Sequence, residues 1–161
     1  MQEEKNQYDL TLLDEELYQL VGAVAGVPYS ALPLDQPEII CFARRIEELT
    51  GYTADQILAD RQLWMSVVHP ADREQVFGAF TRCKNLGIPF EIEYRIIHKD
   101  GSLRYVIDEG EPVFDDKGQV MEIEGIITDV SEYEKARICV CQRNPEATRL
   151  NNVNSGVFQK I

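Results

Sequence analysis

The run Phe90-Glu-Ile-Glu-Tyr-Arg-Ile-Ile97 sets Phe90, Ile92, Tyr94 and Ile96 against Glu91, Glu93 and Arg95, an apolar residue at every second position. Side chains alternate across an extended chain, so this spacing predicts a half-buried strand of an antiparallel sheet. Lys99-Asp-Gly-Ser102 carries the Asp-Gly pair of a tight hairpin and turns the chain back. Leu103, Tyr105 and Ile107 are expected to form the apolar face of the returning strand. After a turn at Asp115-Asp-Lys-Gly118, the residues Met121, Ile123, Gly125 and Ile127 are expected to do the same for a third. Three consecutive strands make a meander.

Upstream the period becomes helical. Pro70 is placed as an N1 proline and Asp72 lies in a first turn, where the helix dipole favours negative charge. Val76, Phe80 and Cys83 then share a stripe with Phe77 beside it, until Gly87-Ile-Pro89 ends the helix. The apolar stretch Leu63 to Val68 holds the single Trp and is expected in the core. Thr53 offers an N-cap for a short helix, and Gly51 a C-terminal stop for the helical spacing of Arg44 to Leu49. Before these, Val27 to Leu32 and Glu38 to Phe42 read as two strands joined by a Pro-containing loop. Downstream, Ser131 with Glu134 resembles a capping box opening a last helix. The expected class is α+β, a five-stranded sheet split as two strands, short helices, then three strands.

The two ends differ from this core. Leu10, Leu13, Leu17, Leu20 and Val24 alternate at three and four residues, an a/d seam. Such a stripe packs either on its own domain or on a second copy, and Leu13, Leu17, Leu20 and Val24 are the dimer-interface candidates. After Pro145 the chain is rich in Asn and lacks a continuous pattern, so residues 144–161 are expected to be a flexible tail.

With 44% hydrophobic and 27% charged residues, the composition is that of an ordinary globular protein. Twenty-eight acidic against 16 basic residues leave a net charge of −12, which repels phosphate backbones and disfavours nucleic acid as a partner. No apolar run approaches the roughly 20 residues of a membrane span, so a cytoplasmic chain is expected. Cys41, Cys83, Cys139 and Cys141 show no metal-binding interval and are read as reduced thiols. His69 and His98 lack partners at ligand spacing, so no metal site is expected. Nucleophile-elbow and phosphate-loop motifs are absent, and no catalytic residue is nominated. Between Glu91 and Glu124 lie ten acidic and four basic residues, half of the net charge. They fall mostly in turns and on polar strand faces, as a solvated or docking surface requires.

Ile46-Glu-Glu-Leu-Thr-Gly-Tyr-Thr-Ala-Asp-Gln-Ile57, Trp64 with Val68-His-Pro-Ala-Asp-Arg73, Pro89-Phe-Glu-Ile-Glu-Tyr-Arg95, Lys99-Asp-Gly-Ser102, and Gly125 with Thr128-Asp-Val-Ser131 together resemble a PAS sensory domain. The resemblance runs over residues 27–131 and implies a five-stranded antiparallel sheet with short helices on one face. Together with the a/d stripe before it and the Asn-rich end after it, the expected division is an N-terminal amphipathic or dimerisation helix (1–26), the PAS domain (27–131), a connecting helix (132–143) and the tail (144–161). PAS domains commonly serve as dimerising sensor or relay modules in histidine kinases, diguanylate cyclases and related signalling proteins, and the resemblance implies that class.

Phe42, Trp64, Phe80, Tyr94, Tyr105 and Ile123 are the ligand-pocket candidates, since they are aromatic or aliphatic residues on faces expected to point inward. Two cofactor modes of the family are disfavoured. Gln62 stands where the flavin-binding branch has its reactive Cys, and Ala71 to Leu86 contains no His to serve as a proximal haem ligand. The ligand is therefore left unknown. No phosphoacceptor or cyclase signature follows within these residues, so a downstream or separate signalling effector is the expected partner, together with a second copy. A ligand-free interaction scaffold is the alternative. A small α+β enzyme is a third reading, but it needs a buried acid, and none stands on an expected apolar face.

Overall fold

The computed structural model describes residues 26–35 and 38–143. In chain order these form β1 (Gly26–Leu32), β2 (Glu38–Phe42), α1 (Ile46–Thr50), α2 (Ala54–Ala59), α3 (Arg61–Val67), a 3-10 turn (Pro70–Asp72), α4 (Arg73–Leu86), β3 (Phe90–Ile97), β4 (Leu103–Phe114), β5 (Val120–Asp129) and α5 (Ser131–Arg143). The five strands make one antiparallel sheet in the order β2-β1-β5-β4-β3. The α+β class and the expected split into two strands, helices and three strands are both present. The dimer-interface candidates Leu13, Leu17, Leu20 and Val24, and the tail, lie outside the described residues.

Local chemistry explains the breaks between helices. Thr53 accepts from the Gln56 amide while the Gln56 side chain accepts from the Thr53 amide, closing a capping box at α2. Asp60 accepts from the Gln62 amide and starts α3. Pro70 opens the 3-10 turn before α4, which ends at Gly87 with φ of 62°. Ile46, Leu49, Ile57, Trp64, Val67, Val76, Ala79 and Phe80 bury one side of α1 to α4 on the inner sheet face.

Pairing fixes which residues share that face. One row across four strands runs Tyr29, Gly125, Gly110 and Phe90, and the next runs Val27, Ile127, Asp108 and Ile92. The face expected for β4 is thereby corrected. Val106, Asp108 and Gly110 point inward, whereas Leu103, Tyr105 and Ile107 lie on the outer face. Tyr105 is nonetheless buried, because α5 packs against that side of β4. A strand covered on both faces carries apolar residues at both parities, so alternation alone admits two orientations.

The last helix starts differently from the expected capping box. Asp129 accepts from the amide and the hydroxyl of Ser131, and Ser131 Oγ in turn accepts from the Tyr105 amide at 2.9 Å. Glu134 pairs with Arg137 at 2.7 Å instead of reaching back to the cap. The tertiary contact to β4 takes the serine that a local cap would have used.

Candidate functional site

The inner face gathers most of the nominated pocket residues. Phe42 and Trp64 have ring centroids 5.2 Å apart, Tyr29 lies 6.0 Å from Phe42 and 6.1 Å from Phe80, and Phe80 lies 5.0 Å from Phe90. Tyr94 and Ile123 are fully buried in the same core. Tyr105 is apart from these five, on the outer face beneath α5. The rings are tilted against one another and fill the space between sheet and helices with side chains.

Two glycines make room for that filling. A Cβ on Gly125 would stand 2.5 Å from the Tyr29 ring, and one on Gly110 would overlap the Phe90 ring. Gly110 and Gly125 are directly paired, so they form a flat floor on which the two rings rest. This lowers Tyr29 far enough for its hydroxyl to donate to Asp108 Oδ1 at 2.9 Å. Tyr94 donates to Oδ2 of the same carboxylate, also at 2.9 Å.

Asp108 has no exposed surface. Burial disfavours its charged form and outweighs the two hydroxyl donors, so its pKa is pushed up to about 7. Burial and the facing carboxylate also hold Tyr29 and Tyr94 well above the ordinary phenol range, so both stay protonated donors. The spacing of Leu103, Tyr105 and Ile107 puts Asp108 on the polar face of β4, whereas the register puts it on the inner one, so the expectation of no acid on an apolar face is corrected: a buried acid is present. Its signal was the sequence Val106-Ile-Asp-Glu-Gly110, where Asp108 falls midway between an apolar residue and a glycine at strand spacing.

A second buried carboxylate is differently partnered. Asp72 accepts from the Arg95 amide and guanidinium at 2.7 to 2.9 Å. Burial pushes its pKa up, but the hydrogen bonds and charge of Arg95 outweigh burial and hold it below the usual carboxylate range. This pair fastens the turn before α4 to the edge strand β3.

On the outer side, both backbone polar groups of Tyr105 serve the β5–α5 junction. Its amide donates to Ser131 Oγ, and its carbonyl accepts from the Val130 amide at 2.8 Å. Arg104 adds an ion pair to Asp129 at 3.7 Å. A cleft of about 400 Å³ opens beside this junction, lined in part by Val27, Arg45, Leu49, Arg104 and Tyr133.

The remaining candidates are accounted for locally. His69 Nδ1 accepts from the Ala71 amide at the start of the 3-10 turn, and the His98 ring packs near Gly51. Among the described residues, no group of His, Cys, Asp or Glu is arranged to hold a metal ion. Cys83 is a buried free thiol and Cys139 an exposed one. No helix of the described residues is long and apolar enough to cross a membrane.

The model of the PAS fold family matches residues 39–127, more than half of the chain. An uncharacterized protein, y4lL, of Sinorhizobium fredii is 37% identical over 89 residues, covering 55% of this chain and 10% of that protein. The methyl sulfide methyltransferase-associated sensor of Methanosarcina acetivorans is 27% identical over 109 residues, covering 67% of this chain and 11% of its own length. The matched region thus spans about a tenth of these curated relatives. The N-terminal domain of a diguanylate cyclase with PAS/PAC sensor from Marinobacter aquaeolei shares the fold, with a TM-score of 0.59, 24% identity, and coverage of 68% of this chain and 98% of that domain.

Proposed function

Because the chain belongs to the PAS fold family, we propose that it is a non-catalytic sensory or relay module of a cytoplasmic signalling system, of the two-component or cyclic-dinucleotide kind. Its input is the inner core around Phe42, Trp64, Phe80, Tyr94 and Ile123, and its output is α5, which hands the change to an effector. One observation carries this reading: Tyr105 commits both backbone polar groups to the start of α5 while its strand also holds the buried Asp108. A change of packing on the inner face that shifts β4 therefore pulls on the first turn of the output helix.

Hydrogen exchange on the full chain tests the relay. Phe80→Leu loosens the ring cluster without touching α5, and it is expected to speed exchange of the Tyr105 amide and of the first turn of α5. Faster exchange confined to the core, with α5 unchanged, would overturn the relay.

A second copy is the proposed first partner, joined through the Leu13, Leu17, Leu20 and Val24 seam. Light scattering should give a dimer at high micromolar concentration and a monomer for Leu17→Asp. A monomeric wild type would sink the dimer. The ring-filled core also favours the scaffold form of this reading, in which a partner docks without any small molecule. Native mass spectrometry of the purified chain separates the two, since a retained small molecule would exclude the scaffold.

A further inference from the structure

Asp108 is a charge-bearing group without a counter-charge at the centre of the core. Each of its oxygens accepts one tyrosine hydroxyl, from β1 on one side and β3 on the other. The groups that face it are few among the described residues. Tyr29 and Tyr94 donate to it, and Cys83 of α4 adjoins Tyr29. Glu109, its neighbour in β4, projects to the opposite face. From β5 the paired residue is Ile127, with Gly125 next along the same face, and Trp64, Val76, Ala79 and Phe80 of the helices belong to the same buried core. No cation is among the groups that act on its charge.

A buried carboxylate is kept by ion pairing, by metal or by neutralisation. Asp72, with Arg95 wrapped round it, uses the first. Two neutral hydroxyls do not supply a counter-charge, and closely packed rings leave a proton as the species small enough to reach the group without rebuilding the core. We propose that Asp108 is a proton-binding site, and that its occupancy is the signal this core passes to α5.

The step is a simple acid–base exchange. A hydronium ion of the solvent passes its proton to one carboxylate oxygen and departs as water, and the neutral carboxyl then donates as well as accepts, altering its bonds to Tyr29 and Tyr94. Loss of the proton restores two charge-assisted acceptor bonds and a desolvated negative charge, which is relieved by loosening of β1, β4 and β3 around it. Tyr105 stands three residues along β4 and holds the start of α5. The relay part of this inference rests on the reading of core as input and α5 as output, whereas the proton site itself does not.

The experiment is a pH titration of the full chain, following the Asp108 side-chain carboxyl by carbon-13 NMR and the Tyr105 amide by hydrogen exchange. The expected carboxyl midpoint is near 7, with the exchange rate of the Tyr105 amide changing around the same midpoint. Both responses should vanish in Asp108→Asn. Tyr94→Phe retains the ring but removes a donor to the ionised form, and should move the midpoint upward, which keeps the test decisive if the Asn variant does not fold. A carboxyl that titrates near 4 overturns the proton site and leaves the proposed relay standing for another signal. A midpoint near 7 with an unresponsive Tyr105 amide overturns the proton as signal and counts against the relay as well.

Discussion

Asp72, in the turn before α4, and Asp108, on β4, are both buried aspartates, and their charges stand in opposite circumstances. Asp72 sits at the edge, where Arg95 meets it with backbone and guanidinium together. Asp108 sits at the centre with two phenols. The same side chain is therefore held charged in one place and pushed toward neutrality in the other. Burial is common to both, so the difference lies in whether a cation shares it. The first arrangement fastens the fold, and the second leaves a group free to change state inside it.

The pH consequences have opposite signs. The lowered pKa of Asp72 contributes stability above the range where a free aspartate titrates, and that contribution is lost as the pH falls through its native value. The raised pKa of Asp108 means that the native state holds the proton more tightly than the unfolded chain does. Its contribution is complete below about pH 4, the range of an unfolded aspartate, and is lost as the pH climbs through about 7.

Making Asp72 resemble Asp108 is the harshest test of this contrast. Arg95→Ala leaves a buried carboxylate uncompensated and is expected to cost roughly 3 to 5 kcal/mol in urea unfolding at neutral pH. An effect under about 1 kcal/mol would mean that water reaches Asp72 and that the pair does not fasten the turn. The second test removes the titration at the centre. Wild type should lose up to about 4 kcal/mol between pH 4 and 8 on account of Asp108, and Asp108→Asn should lack that component, read from thermal or urea melts across the range. The mildest perturbation acts through the floor. Gly125→Ala forces the Tyr29 ring away from its seat and is expected to cost about 1 to 3 kcal/mol. Because the Tyr29 bond lowers the Asp108 pKa, the same variant should raise the carboxyl midpoint.

Much of the fold was legible before any coordinate. Phe90 to Ile96 alternates because β3 packs only one apolar face, Thr53 is followed by a helix because its hydroxyl caps one, and Asp100-Gly101 turns the chain where a hairpin needs it. The failures share a cause. The spacing of Leu103, Tyr105 and Ile107 points them inward, yet β4 is covered on both faces, by α4 inside and by α5 outside, so apolar residues stand at both parities. That reading put Asp108 among the polar positions. Ser131 and Glu134 matched a capping box by spacing, yet Tyr105 from a strand 26 residues away claims the serine hydroxyl.

The order of residues sufficed for the family, for the antiparallel sheet with its helical layer, and for the burial of Phe42, Trp64, Phe80, Tyr94 and Ile123 in its core. Those features depend on short-range periodicity, turn chemistry and caps, which act between neighbours in the chain. The parity of β4, the isolation of Asp108 between Tyr29 and Tyr94, and the fastening of α5 to Tyr105 emerged only in the folded molecule. Each joins residues from different strands, and whether a carboxylate inside a protein meets a cation or a phenol is settled by register across the sheet rather than by sequence along it.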